Sequence, residues 1–104
     1  MAEYKIEITA RAKQDLREIH AYIAGNLKEP KTAERLLDKI ESEILTLNDM
    51  PLRHAVERDE HVRLRNLRKL IVDNYLVFYT VGKKTETVFI IRVLYARRDW
   101  VNLL

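Results

Sequence analysis

Two groups of basic and aromatic residues are the part of this 104-residue sequence whose types and spacing could do chemistry. Arg63, Arg65, Arg68 and Lys69 lead into the apolar run "RKLIV", and Tyr75 and Tyr79 follow in "YLVFYTV". Arg92 and Tyr95 lie in "TVFIIRVLY", with Arg97, Arg98, Asp99 and the only tryptophan, Trp100, directly after it. Arginine grips phosphate with paired N–H donors and aromatic rings stack on unpaired bases, so the set suits nucleic acid or ribonucleoprotein. The same residues also read as core-edge aromatics with rim charges, and the pattern alone leaves both readings open.

Other chemistries find little support. There is no Gly-rich phosphate loop, no Cys/His metal spacing and no nucleophile elbow. The chain has no cysteine, which excludes disulfides, thiolate metal sites and cysteine nucleophiles and agrees with a reducing compartment. His20 falls at the boundary of an apolar helix face, and His54 and His61 have no ligand motif around them. Carboxylate pairs for acid-base work would come from solvated helix faces. Neither a metal nor a cofactor is expected.

The net charge is only +3, but it is unevenly spread. From Thr9 to Asn48 seven Lys/Arg balance seven Asp/Glu, whereas from Asp49 to Leu104 eleven face seven, a C-terminal excess that suits phosphates. No apolar run approaches the ~20 residues of a bilayer span, and "MAEYKIEITARAKQ" lacks the features of a signal peptide, so a cytoplasmic protein with no membrane partner is expected. With two Gly and two Pro there is no linker or repeat, and residues 1–104 read as one domain.

The elements that must position the basic set follow from periodicity. "YKIEI" alternates as a short strand, and Thr9 stands where a helix N-cap would. Ala12, Leu16, Ile19, Ile23 and Leu27 line a helix ending near Gly25 to Lys28; Pro30 then opens a second, striped by Ala33, Leu36, Leu37, Ile40, Ile44 and Leu47. The short connection makes them an antiparallel hairpin. Asp49 to Val62 reads as loop. Three strands follow, the first two joined at Asp73-Asn74, which pairs Val72 with Tyr75, Leu70 with Val77 and Arg68 with Tyr79 on one face, and Ile71 with Leu76 and Lys69 with Phe78 on the other. The last strand reads as a central one. The fold class is α+β: a β-α-α-β-β-β chain whose N-terminal helix hairpin packs on a small antiparallel sheet, with a short C-terminal helical segment. Arg92 is in phase with Val88, Ile90 and Leu94, and a buried charge needs a partner. It therefore pairs with Asp99 or another acid, or reaches a wet part of the sheet.

The ordered series "AxxDLxxIxxYI", "LNDMP", "YxVFYxV" and "IxRVLxxRRD" resembles the RelE/ParE superfamily of toxins from bacterial toxin-antitoxin operons over nearly the whole chain. The resemblance implies a fold of two N-terminal helices against an antiparallel sheet, a role in plasmid stabilisation and inhibition by a cognate antitoxin. It also implies one of two targets. RelE-like members cut messenger RNA in the ribosomal decoding site, which needs a base for the 2′-hydroxyl, an acid for the leaving oxygen and cations for the phosphorus-centred charge. ParE-like members poison DNA gyrase. Under the first alternative Lys69, Arg92, Arg97 and Arg98 are the catalytic candidates; Arg63, Arg65, Arg68, Tyr75, Tyr79, Tyr95, Asp99 and Trp100 are binding candidates under either. The nucleases commonly carry an arginine directly after the tyrosine that opens the third strand. Here Tyr75 is followed by Leu76, and the long unbroken hairpin is ParE-like, so the gyrase reading is slightly preferred. A non-toxic partner-binding module is the alternative of another class. Asp99 is expected to orient Arg92 or Arg98, truncation after Tyr95 to abolish toxicity while leaving the fold largely intact, and the antitoxin to add an extended or helical segment along the hairpin and the sheet edge, covering the basic rim with acidic residues and burying ~1,600 Å² or more.

Overall fold

The structure, a computed structural model, describes residues 3–49, 51–53, 66–98 and 100–104. Thr9 caps the first helix, α1 (Ala10–Ala21): its hydroxyl accepts the Ala12 N–H at 3.2 Å. Such a cap contributes about 1 kcal/mol. The same hydroxyl donates to the Ile90 carbonyl at 2.7 Å, so it also pins the helix start to the last strand. α1 widens at its end into a turn over Tyr22–Asn26, where the Leu27 N–H reaches back to the Tyr22 carbonyl and that of Glu29 to the Ile23 carbonyl. Lys28, at φ 56°, then redirects the chain, and Pro30 opens α2 (Pro30–Leu45). The stripes meet at Ala12 and Leu16 of α1, at Ile23 of the turn and at Ala33, Ile40 and Ile44 of α2, all buried, as is Leu47 in the tight turn that follows; Leu27, which the spacing puts on the first stripe, is instead 53% exposed because the chain leaves the α-helix after Ala21.

The sheet consists of β1 (Lys5–Ile8), β2 (Arg68–Val72), β3 (Tyr75–Gly82) and β4 (Thr87–Tyr95), ordered β1-β4-β3-β2. The β2–β3 register is the expected one at all five pairs, from Arg68 with Tyr79 to Val72 with Tyr75, and Asp73 supplies the positive φ (52°) that the two-residue turn needs. β3 and β4 are antiparallel, whereas β1 lies parallel to β4, Lys5 beside Thr87 and Ile8 beside Ile90, so the sheet is mixed. Alternation along β1 specifies its buried face but not its direction; the direction is imposed by Thr9 and α1, which dock at Ile90.

One irregularity changes the reading of β4. Phe78 lies opposite Arg92 but Tyr79 opposite Ile90, so Ile91 is a bulge. A bulge reverses the inward and outward phase of all that follows. Val88 and Ile90 therefore point into the helix-covered core together with Val93, while Leu94 joins Leu76 and Phe78 on the other face, and Arg92 is out of phase with Val88 and Ile90. That second face is capped by a short helix, α3 (Trp100–Leu103), through Trp100, Leu103 and Leu104.

Candidate functional site

Arg92 is buried and fully committed. Its Nε donates to Asp15 Oδ2 at 2.7 Å and its Nη2 to Asp15 Oδ1 at 3.0 Å, a two-point clasp between β4 and α1. Its Nη1 donates to the Leu103 carbonyl at 2.7 Å, which holds α3. Asp15, only 3% exposed, also accepts the Val93 N–H at 3.0 Å, and Arg11 stands 3.7 Å away on the same helix. The partner of Arg92 is thus another acid, Asp15, and the guanidinium ties elements together instead of facing a wet concavity. Asp15 escapes a reading that treats acids on helices as solvated. The signal was present: Asp15 lies three residues after Ala12 and one before Leu16, inside the apolar stripe, where a carboxylate must find a buried cation.

The other candidates divide among three places. Tyr79 is fully buried in the main core and its hydroxyl donates to the Pro51 carbonyl at 2.7 Å, so it anchors a turn rather than offering a surface. Lys69 and Trp100 lie on the second face, with the ammonium 5.5 Å from the centre of the indole ring, which itself packs on Phe78 with ring centres 5.2 Å apart. Arg68 reaches the Leu52 carbonyl at 3.3 Å. Tyr75, Tyr95 and Arg98 line a groove, and Arg97 is exposed beside it in the turn after β4. Arg63, Arg65 and Asp99 lie outside the described residues, as do His54 and His61.

The groove has a volume of about 1000 Å³ and runs between the helix hairpin and the end of β4. One wall is Glu18, Ile19, Tyr22 and Leu27, continued by Arg35, Leu36 and Lys39 of α2; the other is Asp73, Asn74, Tyr75, Tyr95 and Arg98. Tyr22 and Leu27 are 54% and 53% exposed, a large apolar area to leave in water. Tyr75 and Tyr95 meet edge to face, ring centres 5.6 Å apart. Burial, then the neighbouring Tyr95 and Tyr22, push the Tyr75 phenol above its ordinary 10.0. At the turn end, Lys39 Nζ sits 2.7 Å from Asp73 Oδ1, and that hydrogen bond and charge hold the lysine above its ordinary 10.5. The guanidinium groups of Arg35 and Arg98 have no hydrogen bond or ion pair among the described residues. Tyr22 and Arg35 were not legible as site residues: each flanks an apolar stripe, the usual place for a boundary side chain.

Among the described residues no three His, Cys, Asp or Glu side chains form a group able to hold a metal ion, and no helix is long and apolar enough to cross a membrane. The arrangement offers binding surfaces: an apolar groove with two unengaged guanidiniums, and a second sheet face sealed by α3.

Comparison with solved structures shows the same fold in three toxins or toxin-antitoxin complexes. A chain of the chromosomal ParDE system of Pseudomonas aeruginosa superposes with a TM-score of 0.75 at 18% identity, covering 91% of this chain and 98% of that one. The RelE toxin of Escherichia coli, as a mutant in the free state, gives 0.67 at 16% identity over 97% and 92% of the two chains. The RelBE2 complex of Mycobacterium tuberculosis gives 0.63 at 22% identity over 91% and 93%. A comparison with curated proteins found no match. The sequence pattern of the ParE toxins of type II toxin-antitoxin systems, parDE, matches residues 6–100, and the chain belongs to that family, within the RelE/ParE superfamily.

Proposed function

We propose that this toxin acts in the ParE manner, by inhibiting DNA gyrase in the cytoplasm, and that a cognate antitoxin neutralises it as part of a plasmid-stabilisation system. The observation that carries the reading is the state of the second sheet face. Leu76, at the position where RelE-like nucleases carry an arginine, is buried with Phe78 and Leu94 beneath Trp100, Leu103 and Leu104. Cleavage of RNA needs a base, an acid and cations converging on one phosphate. Of the four catalytic candidates, Arg92 is spent on Asp15 and the Leu103 carbonyl, and Lys69 lies against the indole of Trp100. Arg97 and Arg98 remain exposed, but in the turn beyond the sheet. A rim of cations beside an apolar groove suits docking on a protein better than proton transfer. The antitoxins in the ParDE and RelBE complexes of the related structures support a protein partner for this chain as well.

Pulse labelling of DNA and protein synthesis in the minutes after induction of the toxin alone tests this. Early arrest of replication with a DNA-damage response is expected. Early arrest of translation, with messenger fragments ending inside codons, would overturn it in favour of a ribosome-dependent endonuclease. Arrest of neither, in a chain that still binds its antitoxin, would leave the non-toxic binding module. Substituting Leu76→Arg to restore a nuclease site is uninformative here, because the arginine would be forced into a sealed apolar cluster.

A further inference from the structure

The charges along the groove between the hairpin and the end of β4 are unevenly committed. Three carboxylates line it, and each has a partner within the molecule. Asp15 holds Arg92, Asp73 holds Lys39 at 2.7 Å, and Glu18 accepts the Gln14 side-chain amide at 3.1 Å. The guanidiniums of Arg35, on α2, and Arg98, in the turn after β4, line the same groove with no hydrogen bond or ion pair among the described residues. Gln14 is neutral and leaves the charge of Glu18 in place, so two free positive charges stand against one negative one. The walls keep a positive balance, and the two arginines offer forked donors to an anion from opposite sides.

Between these cations the groove is flat and apolar. Tyr22 and Leu27 are 54% and 53% exposed on the hairpin side, and Tyr75 and Tyr95 meet edge to face on the sheet side. Burial, and then the nearby phenols of Tyr95 and Tyr22, hold Tyr75 in its neutral form, which places three aromatic rings around one space. An uncharged apolar ligand would leave the guanidiniums unpaired. Inorganic phosphate would leave Tyr22 and Leu27 in water. An anion that carries a planar ring satisfies both parts of the wall, because aromatic side chains stack on bases and arginine grips phosphate with two N–H groups at once. The volume of about 1000 Å³ lies at the upper end of the roughly 300–1,000 Å³ of small-molecule sites, enough for such a ligand.

We propose that the groove is a binding site for a nucleoside polyphosphate, with the base laid against Tyr22 and the phosphates held between Arg98 and Arg35. The ligand ties α2 to the segment after β4, two parts of the chain that meet only across the groove at this end. The site is independent of which target the toxin has.

The test is titration of the full, isotope-labelled chain with ATP, with adenosine and with inorganic tripolyphosphate at physiological salt, read from the amide shifts. ATP should move the amides of Tyr22, Arg35 and Arg98 and bind at least about tenfold more tightly than either fragment, since stacking and phosphate contacts act together. Arg98→Gln and Arg35→Gln should each weaken ATP about tenfold and leave adenosine unchanged. Tyr22→Ala should weaken ATP and adenosine by a similar factor and leave tripolyphosphate unchanged. All three side chains are exposed, so the variants keep the fold, and Lys83→Gln, in the distant β3–β4 turn, should have no effect. Tripolyphosphate that binds as tightly as ATP, ATP binding indifferent to either arginine, or no binding of ATP overturns the proposal. A single-stranded oligonucleotide that binds far more tightly than ATP through the same residues overturns it in favour of nucleic acid.

Discussion

The two faces of the sheet are built on different scales. The face toward the helices carries a continuous core of Leu70, Val72, Val77, Tyr79, Val88, Ile90 and Val93, closed by α1 and α2 with Ala12, Leu16, Ile40, Ile44 and Leu47. Among the described residues the buried part of the other is Leu76, Phe78 and Leu94 beneath a four-residue helix. The first holds enough apolar area to define the fold, whereas the second is a satellite whose cap is held in part by Trp100, Leu103 and Leu104 and by a hydrogen bond from Arg92. Asp15 belongs to both, because it lies on the hairpin and holds the arginine that holds the cap.

The largest expected effect is therefore at Asp15. Asp15→Ala strands Arg92 in a buried setting and should cost roughly 3–5 kcal/mol in urea unfolding, whereas the double variant Asp15→Leu/Arg92→Met should lose much less. A double variant as unstable as the single one would show that packing, not the stranded charge, dominates. Ile40→Ala, wholly within the helix-covered core, should cost about 3 kcal/mol with a uniform loss of protection across the sheet. Trp100→Ala should cost only about 1–2 kcal/mol, since the indole is half-buried, and should release protection at Leu76 and Phe78 before the main core opens. Equal loss on both faces would dissolve the distinction. Gly25→Ala should add about 0.5 kcal/mol, because Gly25 has no positive φ and nothing within 4 Å of the new methyl. The smallest effect is spectroscopic. Ionisation of the Tyr75 phenol is delayed in the folded protein, so Tyr75→Phe should remove phenolate signal from the part of the alkaline titration above pH 10.0. The sign follows for stability: the unfolded chain loses this proton first, so the contribution of Tyr75 is intact below its unfolded value and fades as the pH rises past it.

How much was legible in the sequence follows the same division. The Thr9 cap and the Asp73-Asn74 register are local, with every determinant within a few residues, and both are found as expected, as are the helix stripes except at Leu27, which is 53% exposed. The bulge at Ile91 is not legible, because an unbroken apolar run carries no mark of where its phase slips, and that one residue moves Arg92 out of the phase its spacing predicts. The Asp15 clasp joins positions 77 apart in sequence, and only the helix phase hinted at it. Site residues fared worse for a physical reason: Tyr79 and Tyr75 sit four residues apart in one strand, yet one is core and the other groove, and what separates them is how far the hairpin extends over the sheet.

The parallel pairing of β1 with β4 also governs how the chain can fold. β2, β3 and β4 form by short-range closures, but β1, the Thr9 hydroxyl and the Asp15 carboxylate all find their partners between Thr87 and Val93. Each needs a loop of most of the chain to close before any stabilisation is returned. The N-terminal hairpin must therefore pass through an interval in which the Thr9 hydroxyl proton and the Asp15 carboxylate are met by water rather than by β4, and docking of the last strand is the step that commits the molecule. Mutations at Thr9 or Asp15 should then be felt mainly as faster unfolding, if that docking follows the rate-limiting barrier, and as slower folding if it forms the barrier itself.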